Sequence, residues 1–474
     1  MSRPGVDVAL LDVPGAIISP PTDTGVWYIE GLTERGPTDK VLPVSSMNDL
    51  VAKYGNRVSW GFVYDALELF FKEGGYRAYV ARIVGAGATS GFLNLMDGGS
   101  TISLVVTAYG AGAWSANYQV EVLTGTGAGQ FQINIKDLSG NILESSGDLD
   151  TQADAVQWSS GSNLVRITLG ASASDPAPRV ATPLSAGNDQ YATVTDADWS
   201  TGLTLFTKDL GPGQVSQPGR TTTTAHSQII GHAEANNRVA ILDLPNSNTI
   251  GTLTGAVGHS RFAANFAPWV VMPGVVANST RTVPPCGLIC GLIARNDPTM
   301  GENRPSAGTA GLSRYCTGVA YTWNDIDRQT LNSAGVDVVR NIYGSVVNYG
   351  WRSGTNPTTD KNWIDFANSR FFMGLSARLN AIGQGFVFDE IDGQNGFTVN
   401  AFHDALAGEL LASWTAGELF GNEPGDAFLV DTGPTVNTLQ TIANQELHAI
   451  CYVAMAPMAE WVQIQIVKTP ISVS

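Results

Sequence analysis

The chain has 474 residues, 26 Lys+Arg against 42 Asp+Glu, a formal net charge of −16 and only 14% charged residues. That length calls for about two to four domains. The acidic balance argues against nucleic acid or an anionic membrane surface as a direct partner, and the scarcity of charge suggests a surface largely covered in the working state.

Residues 1–21 read as an extended arm. Val6, Val8 and Leu10 alternate with Asp7 and Ala9, and Pro4-Gly5, Pro14-Gly15 and Pro20-Pro21 punctuate the run. Proline discourages helix, so the segment can be a strand, but it has too few apolar groups to fold alone. The opening residues lack the apolar run of a signal peptide, and no window approaches the roughly 20 apolar residues of a spanning helix. Cys286, Cys290, Cys316 and Cys451 are too few for a disulfide framework in so long a chain. These features predict folding in a cytoplasm.

Residues 22–85 predict strand, helix, helix, strand. Val26 to Ile29 is the first strand. Ser46 and Asp49 fit a capping box before Met47, Leu50, Val51 and Tyr54. Phe62, Ala66, Leu69 and Phe70 form a second helical stripe, stopped by Gly74-Gly75, and a strand follows over 76–84. Residues 86–185 are rich in Gly, Ser and Thr, with short alternating runs at 102–106, 118–122, 131–135 and 164–169. They predict an all-β insertion, a small barrel or sandwich. Residues 186–334 return to α/β. Thr195 and Asp198 cap a helix carrying Trp199, Leu203 and Phe206, and the apolar runs 239–242 and 269–272 have the look of buried parallel strands.

Residues 335–458 predict two helices, one with Ile364, Phe371, Leu375 and Leu379, the other with Phe402, Leu406, Leu410 and Trp414. Strands are expected at 386–388, 428–430 and 447–453. The tail, 459–474, alternates again: Val462, Ile464 and Ile466 on one side, Gln463 and Gln465 on the other. The chain thus begins and ends with a candidate lone strand, on a multidomain mixed α/β body.

The chemistry-bearing motifs are fragmentary. No Gly-Lys dipeptide occurs, so there is no ordinary P-loop. Gly85-Ala86-Gly87 has Ser90 where a dinucleotide fingerprint needs glycine, and reads as a linker. His232, Glu234, Cys286 and Cys290 imitate a zinc deaminase set, but the cysteines are one residue too far apart. Asp389, Glu390 and Asp392 follow an expected strand, yet lack a calcium-loop spacing and read as a solvated loop. Asp243, after another strand, is expected to hydrogen-bond a loop. Gly258-His259-Ser260 lacks the second glycine of a nucleophile turn, and His226, His403 and His448 have no motif around them. No catalytic, cofactor or metal residue is assigned.

A series of motifs in order resembles the contractile phage tail sheath family: Pro4-Gly5-Val6, Thr22-Asp23-Thr24, the run Gly31 to Pro37, and Phe70 to Arg82. Further on come Gly112 to Asn117, Leu184 to Asp189, Pro218-Gly219, Asn237 to Asp243, Pro268-Trp269-Val270, Pro284 to Asp297, Leu331 to Val336, and Val453 to Val467. The resemblance spans nearly the whole chain. Departures occur at Tyr349 to Arg352 and at Asp389 to Asp392.

The resemblance implies a core from residues 22–85 and 335–458, a subtilisin-like middle domain over 186–334 that serves as structure, and an insertion outside the tail. It implies a structural subunit, not an enzyme, needing no cofactor. Such subunits stack as hexameric rings around a tail tube and contract to drive it through the host envelope for genome ejection. The partners implied are further copies, the tube protein, and baseplate and tail terminator proteins, with no nucleic acid and no membrane insertion. The sheath of a bacteriocin or another contractile injection system is the neighbouring reading; a tail-surface glycan-binding module using 86–185 is a more distant one. The resemblance further implies that terminal strands join a sheet of neighbouring subunits, with Val6, Val8, Leu10, Val462, Ile464 and Ile466 as joint residues. About 17 extended residues reach roughly 55 Å, beyond the roughly 23 Å radius of gyration of a compact body this size.

Overall fold

The computed structural model describes residues 20–355, 360–391, 396–460 and 463–465. In chain order the first unit is β1 (Trp27–Gly31), β2 (Leu42–Val44), α1 (Met47–Tyr54), α2 (Val63–Glu73) and β3 (Ala78–Arg82). Ser46 caps α1 by accepting from Asp49 N–H, and Gly55 and Gly74 end the two helices at positive φ. The insertion follows: β4 (Phe92–Met96), β5 (Ile102–Ala108), β6 (Tyr118–Thr124), β7 (Phe131–Asp137), β8 (Ile142–Leu149), α3 (Gln152–Gly161), β9 (Val165–Leu169) and β10 (Arg179–Pro183). It is not all-β as expected. Thr151 and Asp154 close a reciprocal capping box that starts α3, and Ala155 and Ser159 bury its inner face. Two antiparallel sheets, β10-β6-β7-β8 and β4-β5-β9, share an apolar core that includes Leu104, Val106, Val120, Ile133, Ile135 and Ile167.

The chain then runs through α4 (Asp196–Leu203), β11 (Gln214–Ser216), α5 (Thr223–Ala235), β12 (Val239–Asp243), α6 (Ile250–Gly255) and β13 (Ala263–Ala267). Next come β14 (Val270–Pro273), β15 (Thr280–Val283), α7 (Cys286–Met300), β16 (Gly318–Val319), α8 (Asp325–Ser333), β17 (Val336–Ile342) and β18 (Ser345–Asn348). Eight strands form one central sheet in the order β18-β17-β13-β12-β11-β1-β3-β2. Strands from 22–85 and 186–334 are therefore hydrogen-bonded in one sheet, β1 pairing parallel with both β3 and β11. The six inner strands are parallel; β2 and β18 run antiparallel at the edges.

A strand's period of two sends alternate residues to opposite faces. Trp27, Ile29, Val239 and Ile241 face one core, with α2 and α7. Tyr28, Ala240 and Leu242 face another, with Ile229 and Ala233 of α5 and Leu203 of α4. Apolar groups on both faces explain the unbroken apolar run of β12. Helices α2 and α7 approach closely because Gly287 and Gly291 lie against the backbone of α2: a Cβ on Gly287 would stand 2.4 Å from the Ala66 carbonyl oxygen.

The run 269–272 was expected to be a second buried parallel strand. Instead β14 pairs antiparallel with β15 and β16 in a separate small sheet. Only two residues separate it from β13, too few for the crossover that parallel pairing requires. The parallel neighbours of β12 are β11 and β13, and the sequence of β13, AANFA, gives weak strand signal.

The last unit comprises α9 (Phe366–Gln384), α10 (Phe397–Thr415), α11 (Pro424–Ala427), β19 (Phe428–Asp431), α12 (Leu439–Ala443) and β20 (Ile450–Val453). The strand expected at 386–388 is a turn: α9 runs on to Gln384, and Phe388 takes a positive φ. Ile364 lies just before α9. Phe366 and Met373 of α9 pack in the body's core, whereas Phe371 and Leu375 pack with Leu406, Leu410 and Val430. One helix thus fixes the last unit to the body.

Arg82 fixes the insertion. Its guanidinium is buried and donates to the carbonyl oxygens of Ala111 (2.7 Å), Gly36 (3.1 Å), Thr33 and Glu34 (3.3 Å each). Burial pulls its pKa down to about 10, opposed by Asp189. The connecting chains also pair, Gly85 N–H donating to the Asp189 carbonyl oxygen and Thr89 bridging Asn188.

Candidate functional site

The candidate chemical groups are used up in local structure. Asp243 is buried at the end of β12. Its carboxylate accepts from Gly219 N–H (3.0 Å) and from Cys286 N–H at the start of α7 (2.9 Å), and burial lifts its pKa to about 6. This is the loop-holding role expected of it. His226 is buried, with ring nitrogens 2.9 Å from the Ala256 carbonyl oxygen and 3.1 Å from that of Asp243. His232 lies 2.8 Å from the Arg238 guanidinium; burial, then that cation, pushes its pKa down to about 4.

Glu234 accepts from Ser260 Oγ, and Cys286 and Cys290 are buried on α7, where burial raises their thiols well above the usual range. The deaminase-like set is therefore not assembled around one point, and among the described residues no three His, Cys, Asp or Glu are placed to hold a metal. His259 faces the Gly354 carbonyl oxygen at 3.1 Å. Asp389 and Glu390 are exposed in the turn after α9; Asp392 lies outside the described residues. No helix among the described residues is long and apolar enough to cross a membrane.

The feature left open is a sheet. β19 and β20 pair antiparallel, Phe428 opposite Val453 and Asp431 opposite Ile450, and no third described strand joins them. Phe428, Val430, Cys451 and Val453 pack inward on α9 and α10. The alternate residues point out: Leu429 is 60% exposed, Tyr452 54% and Ile450 43%. Ala454 N–H donates to the Ala427 carbonyl oxygen, so by alternation the backbone groups of Phe428, Val430, Cys451 and Val453 point away from the partner strand. On the β19 edge the Phe428 N–H is taken by the Pro424 carbonyl oxygen of α11, and the outward backbone groups of Val430, Cys451 and Val453 have no strand partner among the described residues.

A two-stranded sheet is marginal alone, and an open, flat, apolar edge invites a further strand. The central sheet is protected at both ends. β2 is three residues long with Pro43 at its centre, and β18 is covered by Ser313, whose N–H donates to Val346, and by a bridge from Leu312 to Val347.

Of the predicted joint residues, Val6, Val8, Leu10, Val462 and Ile466 lie outside the described residues. Ile464 is described, exposed and not in a strand. The β19–β20 sheet was not singled out as a site in the sequence. The signal was present in β19 and β20 as FLVD and ICYV, short apolar runs after a helix pair.

No protein-family model matches the chain, and no curated protein matches it closely. Solved structures do. A sheath tail protein from Listeria innocua is similar with a TM-score of 0.65 at 13% identity, covering 92% of this chain and 96% of that one. The helical sheath of the anti-feeding prophage in its contracted state gives 0.60 at 15% identity, covering 99% and 100%. A contracted PVC sheath complex, from an extracellular contractile injection system, gives 0.55 at 15% identity, covering 99% and 98%. The fold of this chain is that of contractile sheath proteins.

Proposed function

We propose that this chain, carrying the contractile sheath fold, is a structural subunit that polymerises around a tail tube and contracts to drive the tube through a host envelope. The observation that carries the reading is the open β19–β20 sheet in a chain whose two ends both have strand pattern. Two edges await strands, and residues 1–21 and 459–474 supply two. A strand gains its backbone hydrogen bonds by adding to such an edge, with alternate side chains giving register. Because donor and acceptor are different surfaces, the contact is head-to-tail and propagates as an open helix.

The partners in this reading are other copies, a tube protein, and baseplate and terminator proteins. The net charge of −16 supports no nucleic acid among them. The subunit folds in the host cytoplasm and works in the tail sheath, with the insertion over 86–185 as an outward domain. Its role is assembly rather than catalysis, since the candidate catalytic groups are engaged in holding loops and helices. Contraction needs no chemical fuel: rigid bodies rotate into larger contacts while strand joints keep copies linked. The likeness to the anti-feeding prophage and PVC sheaths favours a second, closely related reading, the sheath of a contractile injection system other than a phage.

Deletion of residues 1–19 tests the arm. The shortened chain is expected to stay soluble and to form no tubes by electron microscopy. Normal tubes from it would refute the arm's role.

A further inference from the structure

Four parts of the body converge on Arg352. Its N–H donates to Asp337 Oδ1 of β17 (2.8 Å), one guanidinium nitrogen donates to the Asn332 carbonyl oxygen at the end of α8 (3.2 Å), and its backbone bridges Asp365, which caps α9. It sits just beyond β18. So held, it presents its fork to Glu460: Nε lies 2.9 Å from Oε1 and 3.2 Å from Oε2, and Nη2 lies 2.5 Å from Oε2. Glu460 is 108 residues away in the chain and directly precedes the last stretch. Nearby, Met458 packs against the main core.

A forked pair of this kind fixes direction as well as distance. The other carboxyls around it weaken competition for the arginine. Burial, first of all, holds the Asp337 carboxyl well above the usual range and lifts Asp365 to about 6, which disfavours their charged forms.

We propose that the Arg352–Glu460 pair is a clamp that fixes the root of the C-terminal segment to the body, so that whatever the segment beyond Glu460 binds is held at one defined point. If the sheath reading holds, the clamp passes the body's rotation to the neighbour that the segment engages. It also raises the effective concentration of the segment at its acceptor by restricting where its root can go.

The test uses the full-length, unassembled chain with a nitroxide on Ile464→Cys, with Cys316 and Cys451 changed to Ser and the buried Cys286 and Cys290 left in place. Glu460→Gln or Arg352→Gln is expected to free the label, shortening its rotational correlation time about twofold or more. The charge-reversed pair R352E/E460R is expected to restore the parent spectrum. Glu460 is half-exposed, so E460Q leaves the body folded, which an unchanged melting curve checks. Identical spectra in parent, E460Q and the reversed pair overturn the clamp. Tube formation by the same variants is scored separately. Slower assembly in E460Q that recovers in the reversed pair supports force transfer. Failure of the parent to form tubes would overturn the sheath reading and leave the spectral result standing.

Discussion

Asp337 and Asp243 show what this body spends on shape. Both are buried, each with backbone N–H donors, and Asp337 Oδ2 has no partner. Burial raises both carboxyls, Asp243 to about 6 and Asp337 well above its usual range, where an unfolded aspartate has about 3.9. Between those values the native state binds more protons than the unfolded one, so stability falls as pH rises. The loss begins near pH 4 for both groups and is complete for Asp243 once the pH passes about 6. The urea midpoint of the unassembled subunit is therefore expected to drop from pH 5 to pH 8, and Asp337→Asn to flatten that slope. Parallel midpoint curves for parent and variant would contradict this assignment.

At the scale of elements, strongly periodic segments were legible and context-dependent ones were not. The stripes of α1, α2, α9 and α10 and the run 239–242 state their faces in the sequence. β13 does not, because AANFA is buried by its neighbours rather than by its own hydrophobicity. The run 269–272 misled because apolarity reports burial and not direction of pairing. α3 was hidden in a Ser/Gly-rich stretch where one capping box outweighs weak amphipathicity.

The β19–β20 sheet was legible as two strands, but its openness is a property of what does not pair with it. Its outward residues give the prediction at this scale. Leu429→Lys with Tyr452→Lys changes only exposed positions of the sheet. The double variant is expected to fold with the parent's melting temperature and to assemble about tenfold more slowly, by light scattering, because an incoming strand loses its apolar cover. Unchanged assembly kinetics would remove this face from the joint.

At the scale of the molecule, the insertion and the last unit meet the body through a few defined connections. Arg82 and the paired connecting chains hold the insertion, α9 holds the last unit, and Arg352 holds the root of the C-terminal segment. The central sheet closes its own edges, while no third described strand joins the small sheet. The order of motifs along the sequence pointed to the sheath fold before any coordinates, although identity to each of the similar structures named above is at most 15%; the core it implied, 22–85 with 335–458, differs from the sheet seen, which joins 22–85 to 186–334. What keeps the fold is the pattern of buried faces, which tolerates wide substitution when volume and polarity are kept.

The central claim is that each end of this polypeptide becomes a strand of another copy's sheet. A cryo-electron microscopy map of the assembled polymer, with side chains traced, measures this directly. The account predicts four strands where one chain supplies two, with residues 1–19 of one neighbour and 461–474 of another flanking β19 and β20. Both ends folded back on their own subunit, with the two-stranded sheet still open, would contradict it.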